Sequence, residues 1–215
     1  MTTHSPDSFE QISRYLALGN ALLDDRSGDS AAQYYLLSLH HLLQHTEHPP
    51  RMLALILFNL GKALGYGHKS VSAAVTCCEA SADLNRVLSR SEGETDRIYM
   101  AATVVLILED FATARRLLQV ALDRYRSQGA LAKIRLVQTE LRELVTRLGE
   151  KRYRQLTEAP VPTRPHRLAI AYRGTPVHHL TVTRDGRLTV ETLANVSADD
   201  DPLGWQVDPV TAELG

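Results

Sequence analysis

A spacing of small and large apolar residues recurs three times in the first two thirds of the chain. The middle copy is the clearest, and its residues are Leu57, Leu60, Gly61, Leu64, Ala73, Cys77 and Ala80. A small residue lets two antiparallel helices approach closely, and the large residues on either side fill the space between them. The spacing therefore predicts a pair of packed helices with Gly61 and Ala73 at their contact.

Two further copies lie on either side of this unit at nearly constant distance. The preceding copy consists of Tyr15, Leu18, Gly19, Leu22, Ala32 and Tyr35, and the following one of Ile98, Ala101, Ala102, Val105, Ala114, Leu118 and Ala121. Gly19 and Gly61 are 42 residues apart, and Gly61 and Ala102 are 41 apart. A constant period over three units indicates an array in which each helix pair covers the apolar face of the next.

The pattern resembles the tetratricopeptide repeat, or TPR, over roughly residues 8–150. The units are longer than the roughly 34 residues of that repeat, which predicts longer helices. They also lack its Trp, the third unit has Ala where the others have Gly, and no unit ends in the usual Pro. The resemblance implies a mostly α fold, an antiparallel helix-pair solenoid. A seventh helix at about 130–148 has one apolar stripe and an otherwise charged surface, which is typical of the cap that ends such an array.

The hydrophobic period changes after a proline-rich segment. Residues 158–166 contain three prolines and predict a linker between a helical domain, 1–157, and a smaller region, 167–215. Beyond it, apolar and polar residues alternate in three runs, and Asp185-Gly186 between the second and third is a hairpin signal. We expect a small C-terminal antiparallel β meander of three strands.

The meander leaves two open edges, and the chain after it carries more apolar residues, including Leu203, Trp205 and Val207. This surface has to be covered, either by the chain's own helices or by a second copy. We favour the second arrangement, a homodimer through the C-terminal β region.

Catalytic and metal-binding signatures are absent from the sequence. It has no nucleophile elbow, no paired zinc histidines and no phosphate-binding glycine loop, and we expect neither enzymatic activity nor a cofactor. His41 and His45 lie one helical turn apart beside His40 and His48, but we interpret these histidines as solvated rather than as metal ligands. Cys77 and Cys78 are adjacent in a predicted helix, and Cys77 is interpreted as a small core residue.

Charge and hydropathy indicate the compartment. The net charge of −1 argues against a protein built chiefly to neutralise phosphates. The first residues lack a basic segment followed by an apolar run, and no stretch is long and apolar enough to cross a membrane. We expect a cytoplasmic protein without a membrane partner.

In proteins that resemble this chain, the first helices of successive pairs line a concave groove that holds a partner segment. That implies a groove formed here by Leu16, Asn20, Leu23, Asp24, Phe58, Lys62, Tyr66, Tyr99, Thr103 and Leu106. Only Asn20 and Lys62 match the family's carboxylate clamp, so we expect an apolar, aromatic groove. The leading hypothesis is a non-catalytic scaffold or adaptor that binds a protein or peptide partner.

An alternative hypothesis follows from the charges between 115 and 154, where eleven basic residues accompany four acidic ones. The arginines of this basic face are Arg115, Arg116, Arg124, Arg126, Arg135, Arg142, Arg147, Arg152 and Arg154. They fit a nucleic-acid-binding or regulatory module, or else the solvated side of two terminal helices. The acidic run Asp199–Asp201 is opposite in sign and a possible partner for them.

Overall fold

The computed structural model describes residues 6–45, 48–67, 70–88, 91–194, 196 and 203–210. Within these ranges, eight helices are followed by a four-stranded antiparallel sheet, which confirms the predicted fold class. The helices are α1 Pro6–Asp24, α2 Gly28–Leu43, α3 Pro50–Gly67, α4 Val71–Val87, α5 Glu92–Ile107, α6 Phe111–Gln128, α7 Leu131–Leu148 and α8 Glu150–Glu158. None of the described helices combines the length and apolar character needed to cross a membrane.

Local sequence explains where several helices begin and end. Ser91 and Glu94 form a capping box at the start of α5, in which each side chain accepts a hydrogen bond from the other's backbone N–H. The Asp110 carboxylate accepts from the Thr113 N–H at 3.0 Å and starts α6. Gly129, at φ 69°, ends α6 in the left-handed conformation that favours glycine.

The helices pack in consecutive pairs, and small residues lie at the contacts as predicted. A Cβ on Gly19 would approach the Tyr35 ring to 2.6 Å, and one on Gly61 would lie 2.7 Å from Cys78 Sγ and 2.9 Å from the carbonyl oxygen of Ala74. α1 with α2 and α3 with α4 therefore approach at distances that only glycine permits. The first helices also contact one another, α1 with α3 and α3 with α5. This arrangement is compatible with a helical repeat.

The end of the helical stack is polar, as a cap requires. α7 packs on α6 and buries only Val137 and Leu144, while most of its other residues are exposed. α8, which the sequence analysis did not predict, contacts α7 and α6 and has no buried residue.

The sheet has the order β3-β2-β1-β4, and every neighbouring pair is antiparallel. Its strands are β1 His166–Tyr172, β2 Thr175–Val182, β3 Leu188–Thr192 and β4 Trp205–Pro209. The first three form the predicted meander. The expectation of only three strands is wrong, because Trp205–Pro209 pairs with the open edge of β1 and places Trp205 opposite Tyr172.

The inner face of the sheet packs on α2 and α4 of the same chain. β4 contacts both helices, and β1 and β2 contact α4. The inward side chains, among them Ile170, Leu180, Trp205 and Val207, share one apolar core with α1 to α4. Of the apolar residues that motivated the homodimer, Trp205 and Val207 are thus covered within the chain, whereas Leu203 is 68% exposed.

Candidate functional site

The surface formed by α1, α3 and α5, here called the first-helix face, is held together by polar and close apolar contacts. The Asn20 side-chain oxygen accepts hydrogen bonds from the Tyr35 hydroxyl at 2.7 Å and from the Asn59 amide at 3.3 Å, which joins α1 to α2 and α3. Gly65 of α3 lies against Val104 and Leu108, from which a Cβ would be 3.5 Å. These contacts connect the three first helices into one surface.

α7 extends this row beside α5. The Tyr99 hydroxyl donates to Glu140 at 3.3 Å, and Lys133 Nζ binds both oxygens of Asp96 at 3.0 and 3.1 Å. Burial, together with the Glu140 carboxylate, raises the pKa of Tyr99, so this hydroxyl stays a donor at neutral pH.

The residues predicted to line a groove divide into two groups. Those with exposed or half-exposed side chains are Asn20, Asp24, Lys62, Tyr66, Tyr99, Thr103 and Leu106. Lys62 Nζ lies 5.9 Å from the centre of the Tyr66 ring, within cation–π range. These seven residues come from α1, α3 and α5 and can contribute to a common surface.

Leu16, Leu23 and Phe58 instead lie in the core. Phe58 is only 5% exposed and belongs to the apolar cluster of α4, α5 and α6 that includes Ile98. The prediction that Leu16, Leu23 and Phe58 form part of a groove needs correction, because the side chains at these three positions are buried in the core. Sequence periodicity alone did not distinguish the buried side of each helix from its exposed side.

Exposed apolar residues that the sequence analysis did not select lie on α5 and α7. Met100, Ile107 and Leu136 are 43%, 62% and 44% exposed. Met100 and Ile107 are seven residues apart and therefore lie on one side of α5, together with Thr103. That spacing was a usable sequence signal for this surface.

The arginines of the predicted basic face do not form one free surface. Arg116 pairs with Glu79 of α4, and Arg124 donates to the carbonyls of Asn85 and Arg86 at 3.1 and 3.0 Å. Arg115 stacks on Tyr153. These side chains fasten helices to one another rather than pointing to a common ligand.

The remaining arginines are scattered over α6, α7 and α8. Arg147 pairs with Glu109 at 2.6 Å, Arg126 with Asp123 at 3.2 Å, and Arg142 donates to the Gln138 carbonyl. Only Arg135, Arg152 and Arg154 are exposed without a protein partner among the described residues. The acidic run Asp199–Asp201 lies outside the described residues.

The histidines between positions 40 and 48 are not solvated as a group. His40 is 1% exposed, and its Nδ1 lies 2.9 Å from His178 Nε2 of β2. Burial, and then the neighbouring His178, lowers the pKa of His40 to about 3, and burial lowers that of His178 to about 4. His41 stacks on Tyr15 and His45 on Phe9. Among the described residues, no group of three or more His, Cys, Asp or Glu side chains could hold a metal ion.

The two cysteines are buried and unreactive by environment. Cys77 and Cys78 are fully buried free thiols, and burial raises the pKa of both. Cys77 is a small core residue, as the spacing indicated.

Comparison with known proteins returned no match from protein-family models, from curated proteins or from solved structures.

Proposed function

We propose that the protein is a non-catalytic interaction scaffold or adaptor in the cytoplasm, whose first-helix face binds a segment of a protein partner. One observation carries the proposal. The sheet packs on α2 and α4, on the side of the second helices, and leaves exposed apolar side chains on the first helices. Tyr66 on α3 is 49% exposed, and Met100 and Ile107 on α5 are 43% and 62% exposed.

The chemistry of this face favours a particular kind of segment. A few residues supply most of the binding energy at protein interfaces, and Tyr is among the types enriched there. Lys62 is the cation next to Tyr66, so the partner segment should carry apolar anchors with an acidic side chain near one of them. The resemblance to tetratricopeptide repeats, which bind partner segments on this face, agrees with the proposal.

The test begins with capture of partners by the immobilised full chain, followed by binding measurements on each captured protein. Tyr66→Ala should weaken binding by about tenfold or more, the usual effect of removing a central aromatic anchor. Phe58→Ala is unsuitable because a cavity at this buried position would destabilise the fold by about 3–5 kcal/mol.

Val71→Ala is the matched control. Val71 is 45% exposed and belongs to α4, not to α1, α3 or α5, and its truncation removes apolar surface without changing charge. Equal binding by Tyr66→Ala, Val71→Ala and the unaltered protein would show that partners bind elsewhere.

A further inference from the structure

A cleft of about 660 Å³ opens where α4 meets the linker and the sheet. Ser72 and Glu79 of α4 form one wall, and Arg164, His166 and Arg184 form much of the rest. Its volume lies within the range of roughly 300–1,000 Å³ that is usual for small-molecule sites.

A network of charged side chains forms the floor of this cleft. His166 is 4% exposed and lies 2.9 Å from Asp83 through Nε2 and 3.6 Å from Glu79 through Nδ1. Arg184 NH1 lies 3.4 Å from Glu79 and 3.3 Å from Asp83. Burial acts to raise the pKa of Asp83, but the His166 hydrogen bond and the nearby positive charges outweigh it, so the pKa is lowered.

Positive charge exceeds negative charge in and around the cleft. Arg116 also pairs with Glu79, and Arg86 Nε lies 3.5 Å from Asp83, so three guanidinium groups already share these two carboxylates. Two more arginines, Arg164 and Arg167, line the cleft and have no ion-pair partner among the described residues. Both carboxylates are therefore already paired, and the excess positive charge attracts an anion.

Hydrogen-bond donors remain for such an anion. Arg184 uses Nε on the Arg164 carbonyl at 3.2 Å and NH1 on the two carboxylates, while its NH2 has no acceptor in the described part of the chain. The Arg164 guanidinium and the Ser72 hydroxyl are likewise without described partners. Ser72 also lies in the first turn of the 17-residue helix α4, where backbone N–H groups and the helix dipole favour negative charge.

We propose that this cleft binds the phosphate group of a small molecule, with Arg164, Arg184 and Ser72 as its donors. A phosphate carries close to two negative charges and three acceptor oxygens, which matches several converging donors better than a single carboxylate does. Arg184 binds the phosphate from the floor of the cleft, and Arg164 binds it from the linker.

Pyrophosphate serves as the probe, titrated into the full chain by isothermal calorimetry at constant ionic strength. Saturable binding at one site is expected, and Arg164→Gln should weaken it by about tenfold or more, as loss of a charge-assisted hydrogen bond does. Arg164 is exposed and its side chain has no described protein partner, so this variant should fold normally. Ser72→Ala should weaken binding by a smaller factor.

Arg135→Gln is the matched control, since Arg135 is also exposed and unpaired but lies on α7. It should bind pyrophosphate as the unaltered protein does. Equal weakening in Arg164→Gln and Arg135→Gln, or no saturable binding by the unaltered protein, would overturn the proposal. Succinate binding as tightly as pyrophosphate would overturn the assignment to phosphate.

Discussion

At the scale of single residues, His40 and His178 form one ordered chain of hydrogen bonds between α2 and the sheet. The Gln44 amide nitrogen, which can only donate, lies 3.0 Å from His40 Nε2. A neutral His40 that accepts from Gln44 through Nε2 donates from Nδ1 to His178 Nε2, which leaves His178 Nδ1 to donate to Thr192 Oγ1 at 3.2 Å. With both rings neutral, each ring nitrogen donates or accepts a hydrogen bond, which agrees with the lowered pKa values of His40 and His178.

The first prediction is a loss of stability in mild acid. In the unfolded chain these histidines bind protons as pH falls through about 6.5, whereas in the folded chain they stay neutral down to about pH 4 for His178 and about 3 for His40. The unfolded state thus binds more protons in this window, and the free energy of unfolding falls as pH falls. Between pH 7 and pH 5 the expected loss is on the order of 2 kcal/mol per histidine, measured by urea denaturation.

Two variants assign this effect to the buried pair. His178→Gln retains hydrogen-bonding groups but cannot titrate, so the change between pH 7 and pH 5 should shrink by about half. His179→Gln removes the neighbouring ring, whose side chain is 42% exposed near Glu191, but leaves the buried pair in place, so most of the change should remain. A pH dependence that is the same in His178→Gln as in the unaltered protein would place the titration elsewhere.

At the scale of helices and strands, α4 is the helix that connects the other helices to the sheet. It contacts α3, α5, α6 and three strands, and it buries polar residues such as Asp83 and Asn85 as well as apolar ones. Helix starts and pair contacts were predictable because caps and small-residue spacings are local. The burial of Asp83 was not predictable from the sequence, because its partners His166 and Arg184 are remote in sequence.

The difference between local and long-range signals also explains what could be predicted of the sheet and of the candidate site. β1 to β3 were predictable from alternation and from the Asp185-Gly186 turn, while β4 has only five residues and gains its partner from a distant edge. In the site, the first helices were identified from the repeat, but Phe58 and Leu23 were misplaced because sequence periodicity does not say which apolar side faces a neighbour.

The second prediction concerns how the β2–β3 turn rests on α4. Gly186 and Gly174 both have positive φ, 78° and 80°, and a Cβ on Gly186 would lie 2.9 Å from Val87 Cγ1, whereas Gly174 has nothing within 4 Å. Gly174→Ala should cost about 1 kcal/mol of stability for its backbone conformation alone. Gly186→Ala should cost about 1–2 kcal/mol more because Val87 must move. Equal costs in urea denaturation would show that the turn does not rest on α4.

At the scale of the whole molecule, one apolar core runs through α1 to α4 and the sheet. The Gln33 side chain binds the Trp205 backbone at both N and O, at 2.9 and 2.8 Å, and Trp205 packs on His40. The division into a helical domain, a linker at 158–166 and a β region stays a prediction. The shared core gives a physical reason to expect that the helices depend on the sheet.

The last prediction compares the full chain with a form that ends at Glu158, measured by light scattering and thermal unfolding. Removing the sheet uncovers α2 and α4 and strips Glu79 and Asp83 of His166 and Arg184. We expect the shorter form to unfold at lower temperature and to have the larger average mass, because its uncovered apolar faces associate. A homodimer through the C-terminal β region requires the reverse, a dimeric full chain beside a monomeric shorter form. That result would show that the sheet joins two copies through its edges or outer face, since its inner face is already covered within the chain.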